Sequence, residues 1–430
     1  MQNFMDRLEG FLSPIAVKLN QNRYLSAVKD GFFVAMPFII LGSIFLLLSN
    51  LPIPGYPDFM EGLLGAEWTF YFTVPFDMSM NILALYVLIG ASNSLAGYYK
   101  VNKIGGVTAA VAGVLLLTPT IENADGAQGI PTVALGAEGL FLIILSVILA
   151  IEIYRFVIQR GWVIKMPESV PANVSTSFSS LIPVFFVIII FTLIRILFGF
   201  TPYETAQNFI YSILQAPLTA LGATLPAYLF GQLFETVLWA FGIHGSVLHS
   251  SIMEPVWLTL SAENLTAYQE GNPAPNIISY QFHNNFVKLG GAGSTLGLVI
   301  LSSFMAKSEQ FKSIGRLALG PSFFNINEPV VFGIPIVLNP MMLIPFILTP
   351  LVLAVITYVA MATGLVSPGN GIVVPWTTPP FFSGFLISGV GGVLLQLVNA
   401  VVTAVIYFPF FRIEDQNAYD LEQGKDVPNI

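Results

Sequence analysis

The sequence has little charge. Only 9% of its 430 residues are Asp, Glu, Lys or Arg, whereas soluble domains carry about 25%. Hydrophobic residues make up 55% of the chain, and the mean hydropathy is +0.77. The apolar runs are unbroken and about 20 residues long, as membrane-spanning helices require. We therefore expect an all-α polytopic membrane protein. The net charge of −8 does not indicate nucleic-acid binding, because basic residues in such proteins report topology.

Cysteine is absent, and histidine is scarce. Without cysteine the chain can form no disulfide, no thiolate metal site and no cysteine nucleophile. Three histidines are too few for a typical histidine-rich metal centre. Gly290, Gly291, Gly293 and Gly297 open an apolar run with no strand before it, so they indicate close helix packing rather than a nucleotide-binding loop. We expect no metal and no cofactor.

The positions of Lys and Arg predict how the first half crosses the membrane. Residues 1–30 carry apolar side chains at helical spacing and are predicted to form an amphipathic helix on the membrane surface, with a soluble lead-in helix as the alternative. Basic and acidic loops then alternate, which places the N-terminus in the cytoplasm. The five predicted crossings are residues 31–51, 80–98, 104–119, 140–153 and 181–200.

Two features of these crossings carry structural predictions. Gly105, Ala109 and Gly113 share one helix face, which favours close helix packing within the chain over a dimer contact. Arg195 lies near the outer end of the fifth crossing, where it is expected to reach the lipid headgroups.

The second half is less regular. Residues 201–221 are predicted to be interfacial or a connector, and residues 261–283 an outer loop. The prediction is about ten transmembrane helices with both termini cytoplasmic. The later crossings are residues 225–241, 247–260, 289–305, 334–364 and 385–410, the last leading to Arg412 and an acidic tail.

Two segments of this half are interrupted by proline and glycine. Residues 317–332 and 367–384 are too broken to span, so both are predicted to be re-entrant hairpins. Irregular backbone at membrane depth is tolerated where it faces protein or a water-filled cavity. A pair of such segments points to the binding site of a transporter, although proline and glycine are also common in ordinary membrane helices.

Glu328 is the main candidate for chemistry. It lies between two prolines, two asparagines and a glycine, with long apolar runs on either side. A carboxylate in such surroundings is costly to bury and is a functional-site hypothesis by default. It can bind a cation, relay a proton or accept hydrogen bonds from hydroxyls, and Asn325 and Asn327 add neutral donors and acceptors beside it. The alternative is a carboxylate that caps a broken helix end.

His244 and Trp239 form the second candidate group. His244 stands between two glycines, and Trp239 is close to it in sequence. Glu235 is four residues before Trp239, so the two share a helix face. A hydrogen-bonded structural histidine is the alternative. His249 and Glu254 are interpreted as structural, and His283 as a helix cap.

The third candidate group lies in the second broken segment. Trp376 is bracketed by prolines, and an indole held in this way can stack on the apolar face of a sugar ring. The alternative is an anchor at the membrane interface, where tryptophan is enriched. Asn370, in the same segment, is a further candidate for substrate binding.

Three motifs resemble a known family. They are Gly-Ile-His-Gly at residues 242–245, Asn-Ile-Asn-Glu-Pro-Val-Val-Phe-Gly-Ile-Pro at 325–335 and Pro-Trp-Thr-Thr-Pro at 375–379. They resemble the IIC membrane component of the phosphoenolpyruvate-dependent sugar phosphotransferase system, in the lactose/cellobiose/N,N'-diacetylchitobiose family. The resemblance covers essentially the whole chain and is nearest to a diacetylchitobiose or cellobiose IIC.

The resemblance implies an architecture and partners. It implies a homodimer in which residues 1–200 form the surface helix and the dimerisation half, while residues 201–430 form a mobile sugar-binding half that moves like an elevator. It implies that Glu328 and His244 lie near the hydroxyl that is phosphorylated, with Trp376 against a sugar ring. A separate cytoplasmic IIB protein, loaded by IIA, would supply the phosphoryl group from a phosphocysteine.

The predicted function follows from the motifs and the resemblance together. We expect transport of a β-linked disaccharide, diacetylchitobiose or cellobiose, across the bacterial inner membrane, coupled to its phosphorylation. Because the phosphoryl carrier is on another protein, the chain is a transporter subunit rather than a complete enzyme. The alternative is an ion-coupled secondary transporter in which Glu328 carries H⁺ or helps to bind Na⁺.

Overall fold

The structure, a computed structural model, describes residues 21–425 except 50–54, 80, 123–125, 127, 168, 241–244, 335 and 337–338. Within this part the chain is nearly all helical, as predicted. The only strands among the described residues are β1 (Ile121–Glu122) and β2 (Gln128–Gly129), which pair antiparallel. Residues 1–20 of the predicted surface helix lie outside the described residues.

The described helices form two compact units, Leu19–Ala220 and Leu221–Ile430. The α-helices of the first are α1 (Arg23–Ser49), α2 (Tyr56–Leu64), α3 (Trp68–Asp77), α4 (Leu83–Tyr98), α5 (Lys103–Leu117), α6 (Leu140–Gln159), α7 (Ala172–Gly199) and α8 (Ala206–Ile210). Short 3₁₀ helices at Thr132–Leu135 and Ala137–Gly139 precede α6, and a π-helical turn follows α8 at Tyr211–Gln215. The helix α9 (Ala216–Gly222) continues from that turn.

The helices of the second unit are α10 (Leu225–Ala240), α11 (Gly245–Gln269), α12 (Leu296–Met305), α13 (Glu309–Phe323), α14 (Glu328–Gly333), α15 (Pro340–Ala362) and α16 (Phe382–Glu422). A π-helical turn, Phe282–Val287, and a 3₁₀ turn, Ala292–Ser294, precede α12. The helix α16 is broken at Ser388 and Gly389, whose φ/ψ values are not helical. Its first turns therefore belong to the second predicted hairpin.

The number of membrane crossings stays a prediction. Four of the described helices are long and apolar enough to span, and the number is up to six if each of two bent helix pairs is one span. One bent pair is Ala206–Gly222 with Leu225–Trp239; the other, Phe282–Ser294 with Leu296–Met305, bends by 56°. The four spans are Ala137–Gln159, Val174–Gly199, Met341–Ala362 and Phe382–Glu422.

The small-residue face of α5 packs within the chain, as predicted. A Cβ at Gly105 would collide with the Tyr154 hydroxyl on α6, and a Cβ at Gly113 would lie 2.9 Å from the Phe191 ring on α7. Arg195 was expected to reach the lipid headgroups, but in the structure it bonds to the main chain of α5. Its guanidinium donates to the Leu116 carbonyl at 2.6 Å, so it satisfies an unpaired carbonyl at the end of α5.

The core of the second unit lies between α12, α13, α15 and α16. Phe346 of α15 is fully buried there, and Phe311 of α13 packs against Phe411 of α16 with ring centroids 5.9 Å apart. The Tyr407 hydroxyl donates to the Gly293 carbonyl at 2.8 Å. This core supports the broken segment in front of α12.

The predicted outer loop is too long, and most of the acidic tail is helical. The predicted outer loop begins as helix, because α11 continues to Gln269. The predicted acidic tail is helical to Glu422, and it packs back on the start of α13. Asp415 accepts hydrogen bonds from the Lys307 and Ser308 main-chain N–H groups at 2.8 and 3.0 Å. A carboxylate that satisfies main-chain donors explains why these acidic residues are ordered.

Candidate functional site

The Asn-Ile-Asn-Glu-Pro segment is the turn between α13 and α14. Pro321 lies near the end of α13, and α14 begins at Glu328. Asn325 has φ of 58°, in the left-handed region that asparagine tolerates better than most residues. The Ile326 N–H donates to the Pro321 carbonyl at 3.0 Å. The sequence therefore ends one helix and starts another within four residues, as predicted for a broken segment.

The side chain of Asn325 connects this turn to two other segments. Its oxygen accepts a hydrogen bond from the Gly290 N–H at 2.8 Å, and its NH₂ group donates to the Trp376 carbonyl at 2.5 Å. The residue is buried, so each lost bond would leave a polar group unpaired. Asn325 therefore holds the turn against the glycine-rich break and the second proline-rich segment.

Asn327 binds the same glycine-rich break. Its NH₂ group donates to the Ala292 carbonyl at 2.6 Å and to the Thr295 hydroxyl at 2.9 Å. The Thr295 hydroxyl in turn donates to the Gly290 carbonyl at 2.7 Å. Because Asn327 is 4% exposed, these bonds are made away from solvent.

The glycines at this break are needed for the turn itself in addition to close packing, which Gly293 makes against Phe346 of α15. Gly290, Gly291 and Gly293 all have φ above 70°, a conformation that favours glycine. A Cβ on Gly291 would lie 2.6 Å from the Asn327 side chain. Gly297 fits the prediction, because a Cβ there would collide with the backbone of α16 at Ala404.

The second proline-rich segment is held by amide side chains. Asn370 donates to the Leu386 carbonyl at 2.9 Å and accepts from the Ile372 N–H at 3.1 Å. Gln281 donates to the Ile372 carbonyl at 2.9 Å. The Trp376 side chain is 36% exposed and its carbonyl is bound by Asn325. Trp376 is thus an accessible residue of a segment whose backbone is held by these hydrogen bonds.

A buried cluster of ionisable groups lies between α10, α11 and the π-helical turn. Glu235 is at its centre and is fully buried. One carboxylate oxygen accepts from Lys288 Nζ at 2.8 Å and from the Ser246 hydroxyl at 2.5 Å. The other is 2.7 Å from His249 Nδ1 and 3.8 Å from His283 Nε2.

This cluster was missed as a unit by the sequence analysis. His283 was predicted to be a helix cap, but it is fully buried, with its Nδ1 2.9 Å from the Tyr228 hydroxyl and its ring 4.2 Å from that of Trp257. Lys288 was not considered. The available signal was a lone Glu235 and a lone Lys288 inside apolar surroundings, because isolated opposite charges at membrane depth pair with each other.

Trp239 belongs to the edge of this cluster. Its indole N–H donates to the Ser246 hydroxyl at 3.2 Å, and its ring packs against Phe346 with centroids 6.4 Å apart. It is 3% exposed. Trp239 and Glu235 thus meet at Ser246, in agreement with their predicted position on one helix face.

Comparison with known proteins identifies the family. The family model for the phosphotransferase system, EIIC, matches residues 29–350, which is more than half of the chain. The chain belongs to the EIIC family. The lichenan permease IIC component of Bacillus subtilis (strain 168) is 42% identical over 98% of this chain and 95% of its own length. The cellobiose-specific EIIC component of Geobacillus stearothermophilus is 40% identical over 99% and 97%.

A solved EIIC structure has the same fold. The crystal structure of the transporter ChbC, the IIC component from the N,N'-diacetylchitobiose-specific phosphotransferase system, matches with a TM-score of 0.94. The identity is 42%, covering 97% of this chain and all of that one. As an EIIC protein the chain is a multi-pass sugar permease subunit, and its system includes IIB and IIA phosphotransfer partners.

The predicted site residues of this EIIC chain fall into three groups. Asn325, Asn327, Trp376 and Asn370 lie on segments joined by hydrogen bonds, and Trp239 lies beside the Glu235 cluster. His244 lies outside the described residues. The backbone of Glu328 begins α14, but its side chain is outside the described part of the structure. All seven remain predictions as sites.

Proposed function

We propose that this EIIC protein transports a β-linked disaccharide, diacetylchitobiose or cellobiose, and presents it for phosphorylation by a phosphocysteine on IIB. The observation that carries the proposal is the joining of three interrupted segments by Asn325. Such segments in a helical bundle mark a transporter's substrate site. The names of the cellobiose-specific and diacetylchitobiose-specific relatives support a disaccharide.

The sugar is recognised by aromatic and polar side chains together. Trp376 covers an apolar ring face, since it is an accessible aromatic residue on a segment held by hydrogen bonds. Trp239 is buried beside the Glu235 cluster, so it forms part of the wall of the site and presents no open face. Asn325, Asn327 and Asn370 serve the site by holding its backbone, and the acceptor capacity left on their amides takes sugar hydroxyls.

Glu328 and His244 act on the hydroxyl that receives the phosphoryl group. The hydroxyl oxygen attacks the phosphorus of the phosphocysteine, the P–O bond forms, and the P–S bond breaks to leave the IIB thiolate. Glu328 orients the hydroxyl and takes its proton, the role of a general base. His244 donates a hydrogen bond that balances charge on the transferred group. The added charge on the product weakens its retention and makes uptake one-way.

The movement and the assembly are part of the same proposal. Residues 1–200 act as the scaffold and the dimerisation half, while residues 201–430 carry the sugar in an elevator movement. Both termini are cytoplasmic, so IIB docks on the side where α13 carries Lys312 and Arg316. Asn325 bonds to both other interrupted segments, and these hydrogen bonds support movement of the site as one body.

Calorimetric titration of the purified protein with a panel of disaccharides tests the proposal. Diacetylchitobiose or cellobiose is expected to bind, and the α-linked disaccharide maltose to bind weakly or not at all. Phospho-IIB should then convert the bound sugar to its phosphate in proteoliposomes. Uptake driven by an ion gradient without a phosphoryl donor would instead establish a secondary transporter.

A further inference from the structure

The buried Glu235 joins the two helices that precede and follow residues 241–244, among which is His244. Glu235 is on α10, while Ser246 and His249 are on α11. The carboxylate binds the Ser246 hydroxyl at 2.5 Å and His249 Nδ1 at 2.7 Å. It therefore ties the end of α10 to the start of α11.

The Ser246 hydroxyl lies between Glu235 and Trp239, and it donates to the first and accepts from the second. A hydroxyl has one proton to donate and lone pairs to accept with. The proton goes to Glu235, so the lone pairs are left for the Trp239 indole N–H at 3.2 Å. An ionised acceptor gives a shorter and stronger hydrogen bond than a neutral one. The charge on Glu235 thus determines which way Ser246 points, and Ser246 determines where the indole N–H is held.

A metal ion is the competing interpretation of this cluster. Ligand atoms of Glu235, His249 and His283 lie within 4.8 Å of one another, and the Nε2 atoms of both histidines are buried without a hydrogen-bond partner. However, Glu235 and His249 are separated by 2.7 Å, which is a hydrogen-bond distance, whereas two ligands of a tetrahedral zinc lie about 3.3 Å apart. Lys288 at 2.8 Å already balances the carboxylate charge.

Lys288 links the cluster to the glycine-rich break. It follows the π-helical turn directly, and the chain then enters Gly290, whose N–H is bound by Asn325. Lys288 is held by Glu235, and Asn325 is held by the Trp376 carbonyl. The cluster and the proposed sugar site are therefore connected through described contacts.

We propose that Glu235 is a positioning residue for sugar binding, which acts by orienting the Ser246 hydroxyl and, through it, the indole of Trp239. The inference rests on the proposed function, in which the buried Trp239 forms part of the wall of the sugar site. Neither Glu235 nor Ser246 is required to touch the sugar. Their effect is on where the indole is held.

A double-mutant cycle tests this inference. Sugar affinity is measured by calorimetry for the wild type, Ser246→Ala, Trp239→Phe and the double variant, each with a thermal unfolding curve. Loss of one hydrogen bond costs about 1 kcal/mol, so Ser246→Ala is expected to weaken binding about fivefold. In the Trp239→Phe background the same change should have no further effect, because phenylalanine has no N–H to orient. Ser246→Thr, which keeps the hydroxyl, should restore affinity.

Ser303→Ala is the matched control. Ser303 is also a buried serine, but its hydroxyl bonds to the Val299 carbonyl one turn earlier in its own helix. Its removal should leave sugar affinity unchanged. Equal losses from Ser246→Ala in both backgrounds would overturn the inference, as would one zinc ion per chain in elemental analysis of the purified protein. Failure of the wild type to bind any sugar would instead remove the proposed function itself.

Discussion

The side chain of Asn325 and the main-chain carbonyl of Trp376 are joined by a hydrogen bond of 2.5 Å across 51 residues of sequence. The same side chain holds the N–H of Gly290, 35 residues earlier, at 2.8 Å. One amide thus bonds directly to two turns that are separated from its own by intervening helices. The geometry of the proposed sugar site depends on it.

Asn325→Ala should destabilise the protein and weaken sugar binding. It removes two buried hydrogen bonds, each worth about 1 kcal/mol, and places alanine at a φ of 58°, which favours asparagine or glycine. We expect a loss of about 2–4 kcal/mol in unfolding free energy, measured by thermal unfolding in detergent. Asn272→Ala is the control, because Asn272 is exposed and its side chain bonds only to neighbouring Glu270 among the described contacts. Equal melting temperatures for the two variants would contradict this role.

Gly291→Ala should be poorly tolerated. The residue has φ of 93°, and the added Cβ would lie 2.6 Å from Asn327. The variant must therefore strain the backbone and displace the Asn327 side chain, so we expect a destabilisation of at least 1–3 kcal/mol. Gly320→Ala is the matched comparison: Gly320 lies inside α13 with nothing near its Cβ position, and alanine favours a helix interior by about 1 kcal/mol. If both variants melt alike, the turn does not require this glycine.

Lys288→Met should be more harmful than the double variant with Glu235→Gln. The single change leaves a carboxylate buried without its cation, which costs about 3–5 kcal/mol. The double variant removes both charges and should recover at least half of the lost unfolding free energy. Thermal unfolding curves of the two variants measure the difference. If the double variant is no more stable than the single one, the unpaired charge of Glu235 is not the cause of the destabilisation.

Lys425→Met is the control for Lys288→Met, because Lys425 belongs to an exposed ion pair. Its ammonium lies 3.0 Å from Asp420 with 63% of its side chain exposed. Exposed pairs contribute about 1 kcal/mol or less. We therefore expect its melting temperature to stay close to that of the wild type.

Glu328→Gln should leave the protein folded and abolish most phosphotransfer. A general base contributes at least about a hundredfold to rate, so the rate of sugar phosphorylation by phospho-IIB should fall by that factor or more. Glu309→Gln is the control, since Glu309 is an exposed carboxylate at the start of α13. Unchanged sugar binding and unchanged phosphotransfer in Glu328→Gln would remove Glu328 from the mechanism.

The sequence was sufficient to predict an all-helical membrane fold and the two interrupted segments. Long apolar runs and proline clusters are local signals, and they are readable without tertiary contacts. The bonding of Asn325 could not be predicted in this way, because its partners are 35 and 51 residues distant. The motif predicted a polar site, but not that the asparagine would hold the turns together.

The Glu235 cluster shows a different limit. His283 ends the predicted outer loop, and Lys288 directly precedes the crossing predicted from residue 289. Their burial depends on a π-helical turn between Phe282 and Val287, which has no reliable sequence signal. The opposite charges of Glu235 and Lys288 could have been paired by elimination, but the histidines could be placed only by the fold.

The C-terminal end of α16 is bound to the start of α13, which determines where a domain fused to this end would lie. Glu422 accepts hydrogen bonds from the main-chain N–H groups of Glu309 and Gln310, both at 3.0 Å, so the end of α16 is held at the entrance of α13. A soluble domain joined after Gly424 by a short flexible linker would stay beside the helix that leads into the Asn-Ile-Asn-Glu-Pro turn. Its effective concentration there would be in the millimolar range. A phosphoryl donor tethered at this end would then reach the site independently of its concentration in the cytoplasm.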